Sequence, residues 1–187
     1  MKLILCSQSP RRAQILRQHN FNFSIIPSAA AELRQAKNPE ELPQINAKLK
    51  TEYVAEQYPD DLCLGADTMI LFQGEIIGKP RDLAEAEKIL RKLRGNTHQV
   101  ITGVAIIGRN NGINENFSVV SEVTFRNFSD TELEQYLNNV AVLDKAGAYA
   151  IQEHGEIILD KLEGELNNVI GLPIKQVATI LHKYLGD

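Results

Sequence analysis

Cysteine is scarce in this chain of 187 residues, which contains only Cys6 and Cys63. The two lie far apart, each inside an apolar run, which indicates buried reduced thiols rather than a disulfide framework or a zinc site. The N-terminal segment lacks the long hydrophobic region and small-residue cleavage site of a secretory signal. No stretch reaches the roughly 20 apolar residues of a membrane span. These absences predict a cytoplasmic protein that has no membrane partner.

The chain also lacks an excess of basic residues, since 24 acidic residues outnumber 20 basic ones and the net charge is −4. That balance argues against a surface that neutralises a nucleic-acid backbone, and the lack of a basic aromatic face disfavours a nucleic-acid-binding module. An anionic ligand must therefore be met by a local cationic pocket. The hydrophobic content of 43% suffices for a core without disulfides, and we expect a single domain over residues 1–187.

Strand and helix signals alternate along the chain. Hydrophobic runs and turn residues predict strands at 2–6, 21–26, 62–72, 75–77, 100–107 and 117–125, with extended segments at 147–152 and 156–162. Helices are predicted from Pro10 to about 19, over 44–57, after capping boxes at Asp82 and Ser129, and from Pro173 to about 184. This pattern predicts an α/β fold with a large mixed twisted sheet flanked by helices.

Two arginines occupy the first turn of the first predicted helix. Arg11 and Arg12 follow Pro10 there, where the helix dipole disfavours cations unless an anion is bound. Free amides at the helix start, the Ser7 and Ser9 hydroxyls and two guanidiniums would together form a phosphate cradle. The alternative is that both arginines are solvated surface residues.

A carboxylate interrupts the most apolar predicted strand. Asp67 must face solvent, have a partner or perform a function, because an unpaired buried charge is costly. It is a candidate general base or metal ligand, and a solvent-facing position in the strand is the equal alternative. Lys79, in the predicted Gly78-Lys79-Pro80 turn that follows the 75–77 strand, is a candidate for stabilising phosphoryl charge or an ordinary solvated lysine.

Several catalytic classes lack their signatures. The glycine-rich segment before Lys79 is one residue short of a P-loop, and Pro80 replaces the required hydroxyl residue. The four histidines show no paired spacing for a metal. A serine nucleophile elbow is missing as well. These observations exclude a P-loop ATPase and disfavour a histidine-built metal site.

Six short motifs in a fixed order resemble the Maf family of nucleotide pyrophosphatases, and they cover nearly the whole chain. They are Ser7-x-Ser9-Pro10-Arg11-Arg12, Gly65-Ala66-Asp67-Thr68, Gly78-Lys79-Pro80, Thr97-His98-x-Val100-x-Thr102-Gly103-Val104, Asp144-Lys145-Ala146-Gly147-Ala148-Tyr149 and Gly171-Leu172-Pro173. The resemblance implies cleavage between the α- and β-phosphates of a nucleoside triphosphate, with a divalent cation such as Mg²⁺ or Mn²⁺. It also implies two lobes around a cleft, in a fold similar to that of inosine triphosphate pyrophosphatases.

The resemblance assigns roles to individual residues. Asp67 would activate water, and Asp67 with Glu32 would hold the metal. The substrate-binding residues would be Ser7, Arg11, Arg12, Lys50, Thr68, Lys79 and Gln152. Within this set Arg11, Thr68 and Gln152 resemble the branch that acts on dTTP and UTP.

The main alternative is a nucleotide-binding regulator of cell division, because the family is also linked to septum formation. Asp67 argues against a pure binder, since a negative charge beside a triphosphate helps only if metal or water activation is needed. The sequence leaves open whether the chain forms a homodimer.

Overall fold

The computed structural model describes residues 1–186, and within them the chain forms seven strands and seven α-helices. The strands are β1 Leu3–Leu5, β2 Phe23–Ile25, β3 Leu62–Phe72, β4 Glu75–Ile77, β5 Thr97–Gly108, β6 Ile113–Phe125 and β7 Leu159–Glu163. The helices are α1 Pro10–Gln18, α2 Leu42–Gln57, α3 Leu83–Leu93, α4 Asp130–Asn139, α5 Gly155–Ile158, α6 Leu166–Ile170 and α7 Ile174–Leu185. Short 3₁₀ helices cover Pro39–Glu41 and Ala146–Ala148.

All seven strands join one sheet of order β2-β1-β3-β5-β6-β7, with β4 paired to β3 off this path. Strand β1 runs parallel to both β2 and β3, whereas β4 is antiparallel to β3 and β7 is antiparallel to β6. A sheet that contains both kinds of pairing is mixed, and helices flank it. The predicted α/β class is therefore confirmed.

The chain divides into two compact units. The first unit comprises Met1–Asp67, Thr102–Val119 and the residues from Gly171 onward, and the second comprises Thr68–Ile101 and Val120–Ile170. One apolar cluster of the first unit contains both cysteines with residues of β5 and α2. The buried positions predicted for Cys6 and Cys63 are confirmed. A hydrogen bond with Cys63, together with burial, raises the pKa of the Cys6 thiol.

Helix ends are fixed largely as the sequence predicts. Ser129 and Glu132 form a complete capping box at α4, in which each satisfies a backbone amide of the other. At α3 the Asp82 side chain accepts a hydrogen bond from the Glu85 amide. The Glu85 carboxylate, however, accepts from the Arg81 amide at 2.8 Å, so the predicted capping box is only half formed.

The extended segment predicted at 147–152 is wrong. Gly147 and Ala148 adopt left-handed backbone angles, with φ of 72° and 60°, which a strand does not allow. The Gly147 amide donates to the Gly78 carbonyl oxygen at 3.0 Å, within the second unit. Part of the next predicted strand is also helical, because α5 precedes β7. None of the helices within residues 1–186 has the length and hydropathy of a membrane-spanning segment.

Candidate active site

Asp67 lies on β3 and is the last residue of that strand in the first unit. Of the eleven residues of β3, only Asp67 and Thr68 are not fully buried. Lys50 donates from Nζ to Asp67 Oδ1 at 2.8 Å, and Asn46 donates from Nδ2 to Oδ2 at 3.3 Å. Each carboxylate oxygen therefore has a donor and retains further lone-pair capacity. Asp67 is therefore partly accessible to solvent and also paired with Lys50 and Asn46.

Asn46 and Lys50 reach the same carboxylate because they lie four residues apart on α2. This spacing places both side chains on one face of a helix. Helix α2 can approach β3 closely because Gly65 has no side chain. A Cβ at Gly65 would lie 2.1 Å from Thr51 Oγ1. The small residue before Ala66 and Asp67 is thus a packing requirement of the site.

Gly103 on β5 allows a second close approach to the same helix. A Cβ there would lie 2.3 Å from the Gln44 amide nitrogen and the Pro43 carbonyl carbon. These are backbone atoms, so a rotated side chain could not relieve the clash. The first turn of α2 is therefore seated directly on β5.

Glu32 joins this group through Lys50. The Lys50 ammonium lies 3.0 Å from Glu32 Oε1, so one cation is shared between two carboxylates. The Lys50 side chain is 12% exposed and the Glu32 side chain is 56% exposed. The ion pair to Glu32 is accordingly the more solvent-screened of the two.

Arg12 and Ser7 form a second cluster in the same unit. Arg12 donates from Nη1 to Ser7 Oγ at 3.1 Å and from Nε to the Gly171 carbonyl oxygen at 2.9 Å. Ser7 Oγ also accepts from the Ser9 amide at 3.2 Å. Ser9 occupies the N-cap of α1 without a capping hydrogen bond from its side chain. The loop before α1, the start of that helix and the Arg12 guanidinium thus lie together.

Electrostatics link Arg12 to the carboxylates. Burial lowers the pKa of Arg12, and the positive charge of the neighbouring Arg11 lowers it further. The carboxylates of Asp67 and Glu32 act in the opposite direction and raise it. A guanidinium stays charged in proteins despite such a shift. The first unit therefore combines the arginine charges and two carboxylates within electrostatic range of one another.

Three predicted site residues belong to the second unit. Thr68 follows Asp67 directly and is half-buried. Lys79 is exposed in the loop after β4, where the adjacent Gly78 carbonyl accepts a hydrogen bond from the Gly147 amide. Gln152 is exposed and lies in a turn, not in the strand that its apolar neighbours predict.

The described residues contain no group of three or more His, Cys, Asp or Glu side chains arranged to hold a metal ion. The available protein donors are the carboxylates of Glu32 and Asp67, which share the Lys50 ammonium. Mg²⁺ is commonly bound by one or two carboxylates together with substrate phosphates and water. The oxygen donors therefore fit a hard divalent cation that arrives with a polyphosphate.

Sequence reasoning missed Asn46. Its side chain bonds to both the amide and the carbonyl of Leu33 in addition to Asp67. The signal that could have found it is a polar residue one helical turn before Lys50, on the face of α2 that carries the lysine.

The chain matches a protein-family model and relatives over nearly its full length. The family described as Maf-like protein matches residues 2–184. A dTTP/UTP pyrophosphatase of Akkermansia muciniphila is 45% identical over 181 residues, covering 96% of this chain and 95% of that protein. A dTTP/UTP pyrophosphatase of Bacillus velezensis is 40% identical, covering 98% of this chain and 96% of its own length.

Solved structures show the fold. A HAM1 protein from Coxiella burnetii aligns with a TM-score of 0.58 at 15% identity, over 98% of this chain and 99% of that chain. The Ham1 protein of Staphylococcus aureus aligns with a TM-score of 0.58. At this identity the likeness concerns the architecture alone.

Proposed function

Because the chain belongs to the Maf family, we propose that it is a nucleoside triphosphate pyrophosphatase that hydrolyses dTTP and UTP to the monophosphate and pyrophosphate. The observation that carries the proposal is the Asp67 carboxylate, held by Lys50 at 2.8 Å beside Glu32 and within electrostatic range of Arg12. Relatives over nearly the full length of the chain, at 37–45% identity, are named dTTP/UTP pyrophosphatases.

Asp67 acts as the proton acceptor in this proposal. Water forms a bond to one of the phosphorus atoms that flank the α–β bridging oxygen, and the bond from that phosphorus to the bridging oxygen breaks. Asp67 takes the proton of the attacking water, and the electron pair of the broken bond leaves with the departing phosphate. A positioned carboxylate contributes about 10²–10⁴-fold to such a step.

Cationic and hydroxyl side chains hold the triphosphate. Ser7, Arg11, Arg12, Lys50 and Lys79 carry the donors and the positive charge that the triphosphate requires. Arg12 is already oriented by Ser7 and by the Gly171 carbonyl, so less side-chain freedom is lost when phosphate binds. Phosphoryl transfer depends mainly on such positioning and charge stabilisation.

The metal site in this proposal consists of Asp67 and Glu32. A divalent cation such as Mg²⁺ or Mn²⁺ bound there would neutralise phosphate charge and polarise the reacting phosphoryl group. The protein's own part is to hold both carboxylates at one place, which the shared Lys50 contact supports.

Substrate choice is proposed to depend on Arg11, Thr68 and Gln152. Gln152 carries a side-chain amide, which can donate to and accept from the edge of a pyrimidine base. It is exposed in a turn and so is accessible to a ligand. Loss of a hydrogen bond to a base edge leaves unpaired groups and discriminates between substrates.

Product analysis tests the function. The purified protein is incubated with dTTP, UTP and GTP, each with Mg²⁺, with Mn²⁺ and with neither, and pyrophosphate is separated from orthophosphate. The proposal expects monophosphate and pyrophosphate from dTTP and UTP, with less product from GTP. Orthophosphate as the product would refute the cleavage position, and binding without turnover would favour a nucleotide-sensing regulator.

A further inference from the structure

Asn46 carries a nearly fully buried amide whose side-chain hydrogen bonds all go to residues outside its own helix. It is 3% exposed, and a buried amide is costly unless its polar atoms are bonded. Its Oδ1 accepts from the Leu33 amide at 2.8 Å, and its Nδ2 donates to the Leu33 carbonyl at 3.1 Å and to Asp67 Oδ2 at 3.3 Å. Asn46 therefore connects α2 with two other segments of the first unit.

The pattern of partners fixes the orientation of the amide. If Oδ1 and Nδ2 were exchanged, the oxygen would face two acceptors, the Leu33 carbonyl and the Asp67 carboxylate. The NH₂ group would then face the Leu33 amide, which is also a donor. Both hydrogens of the NH₂ group and one oxygen lone pair are used in the observed arrangement. A buried network that is satisfied in this way rigidifies its members.

The two tied segments carry the two carboxylates of the proposed site. Residues 26–38 contain neither helix nor strand, and Glu32 lies among them, directly before Leu33. Without Asn46 this part of the loop would lose a bond to its amide and one to its carbonyl. Asn46 and Lys50, one helical turn apart, thus hold Asp67 directly and the Glu32 segment at the same time.

We propose that Asn46 is a positioning residue for the reaction, which holds the Asp67 carboxylate and the Glu32 segment in fixed relation. The inference rests on the proposed function, because it gives Asn46 a role through Asp67 and Glu32. Residues that orient a catalytic or metal-binding carboxylate typically change activity by about 10–100-fold when they are replaced.

The test compares Asn46→Leu with Asn168→Leu. Leucine keeps the branching of asparagine and removes every polar atom. Asn168 is the matched control because it is fully buried in the second unit and its Nδ2 donates to the Val100 carbonyl at 3.1 Å and to Ser121 Oγ at 2.9 Å. Both variants lose buried amide bonds, so both are expected to lower Tm.

Two readouts separate positioning from stability. Asn46→Leu is expected to lower kcat for dTTP by about 10–100-fold with KM changed less than about threefold. Hydrogen exchange at the Leu33 amide, measured by NMR, is expected to accelerate. Asn168→Leu is expected to keep kcat within about threefold of wild type and Leu33 exchange unchanged.

A second variant remains informative if Asn46→Leu fails to fold. In Asn46→Ala the side chain ends at Cβ, so no acceptor oxygen or charge is set against Asp67, and alanine favours the helix. Faster exchange at Leu33 with kcat lowered at least about tenfold is expected.

The measurements distinguish an error in the positioning role from an error in the proposed function. Wild-type kcat in Asn46→Leu or in Asn46→Ala would overturn the positioning role, as would unchanged Leu33 exchange in either variant. A wild-type protein that releases no pyrophosphate would defeat the proposed function instead, and Leu33 exchange would still show whether Asn46 holds the loop.

Discussion

At the residue scale, the Lys50 ammonium is shared by two carboxylates that are also the proposed metal donors. It lies 2.8 Å from Asp67 Oδ1 and 3.0 Å from Glu32 Oε1. A metal ion that binds those oxygens competes with the ammonium for them. Lys50 therefore opposes metal binding in the free protein, while it favours the triphosphate through its positive charge.

Lys50→Met is expected to move two measurements in opposite directions. Mn²⁺ affinity of the nucleotide-free protein, measured by EPR titration, rises on the order of tenfold because the competing cation is gone. The kcat/KM for dTTP falls at least about 100-fold because a charge-stabilising donor is lost. Lys48→Met is the control, since the Lys48 side chain is 42% exposed on the same helix and forms a salt bridge with Glu52 at 3.7 Å. Weaker Mn²⁺ binding in Lys50→Met would contradict competition.

The sequence predicts part of this site and misses part. Asp67 stands out because a charged residue in an apolar run requires a partner or solvent, and the resemblance to the family assigns Lys50 and Glu32 by their positions. Asn46 is missed, because a polar residue in a helix usually faces water, and its partners Leu33 and Asp67 lie 13 and 21 residues away. Only the packing of α2 on β3 turns this residue inward.

At the element scale, the fit between α2 and β3 depends on Gly65. Gly65→Ala is expected to lower the free energy of unfolding by about 1–3 kcal/mol, because the new methyl overlaps Thr51 Oγ1. Urea denaturation measures the change. Gly78→Ala is the control, since no atom lies within 4 Å of a Cβ there, and a change within about 0.5 kcal/mol is expected.

A second substitution, at Thr51, tests whether the overlap with its Oγ1 causes the loss of stability in Gly65→Ala. Thr51→Ala removes the atom that lies 2.1 Å from the added Cβ, so the double variant Gly65→Ala/Thr51→Ala should recover most of the lost stability. Additive losses in the double variant would show that the overlap with Thr51 is not the reason.

Element prediction succeeds where local signals agree. Strands β3 and β4 and their turn coincide with the predicted bounds, since apolar runs flank Gln73-Gly74. The region 147–152 fails because its apolar residues are buried in a segment with left-handed angles at Gly147 and Ala148. Hydrophobicity reports burial there, not strand geometry.

At the scale of the whole molecule, one buried histidine makes stability depend on pH. His98 is 2% exposed, its Nε2 lies 2.8 Å from the Tyr149 hydroxyl, and its Nδ1 has no hydrogen-bond partner among the described residues. Burial lowers the pKa of His98 to about 4, from 6.5. Between these pH values the unfolded chain binds a proton that the folded chain does not, so stability falls as pH falls.

His98→Gln should flatten this dependence. The wild type is expected to lose about 3 kcal/mol of unfolding free energy through His98 between pH 6.5 and 4. Urea titrations across that range measure the slope for both proteins. His154→Gln is the control because His154 is exposed. An unchanged slope in His98→Gln would show that another group causes the acid sensitivity.

The overall class follows from the sequence, but the strand order does not. Alternating strand and helix signals predict a mixed sheet flanked by helices. The neighbours in that sheet are set by pairings such as Leu3 with Leu62, which join residues far apart in the chain. Local periodicity contains no information about which distant strand is the partner.

The proposed role of Asp67 is tested most directly by pyrophosphate release from dTTP by Asp67→Asn, compared with wild type and with Asp160→Asn. Asparagine keeps the shape of the side chain and removes the basic carboxylate, and Asp160 is an exposed aspartate on β7. We expect kcat to be lowered by about 10²–10⁴-fold in Asp67→Asn and to be unchanged in Asp160→Asn. Near-wild-type turnover by a folded Asp67→Asn protein would contradict the role of Asp67 as the base.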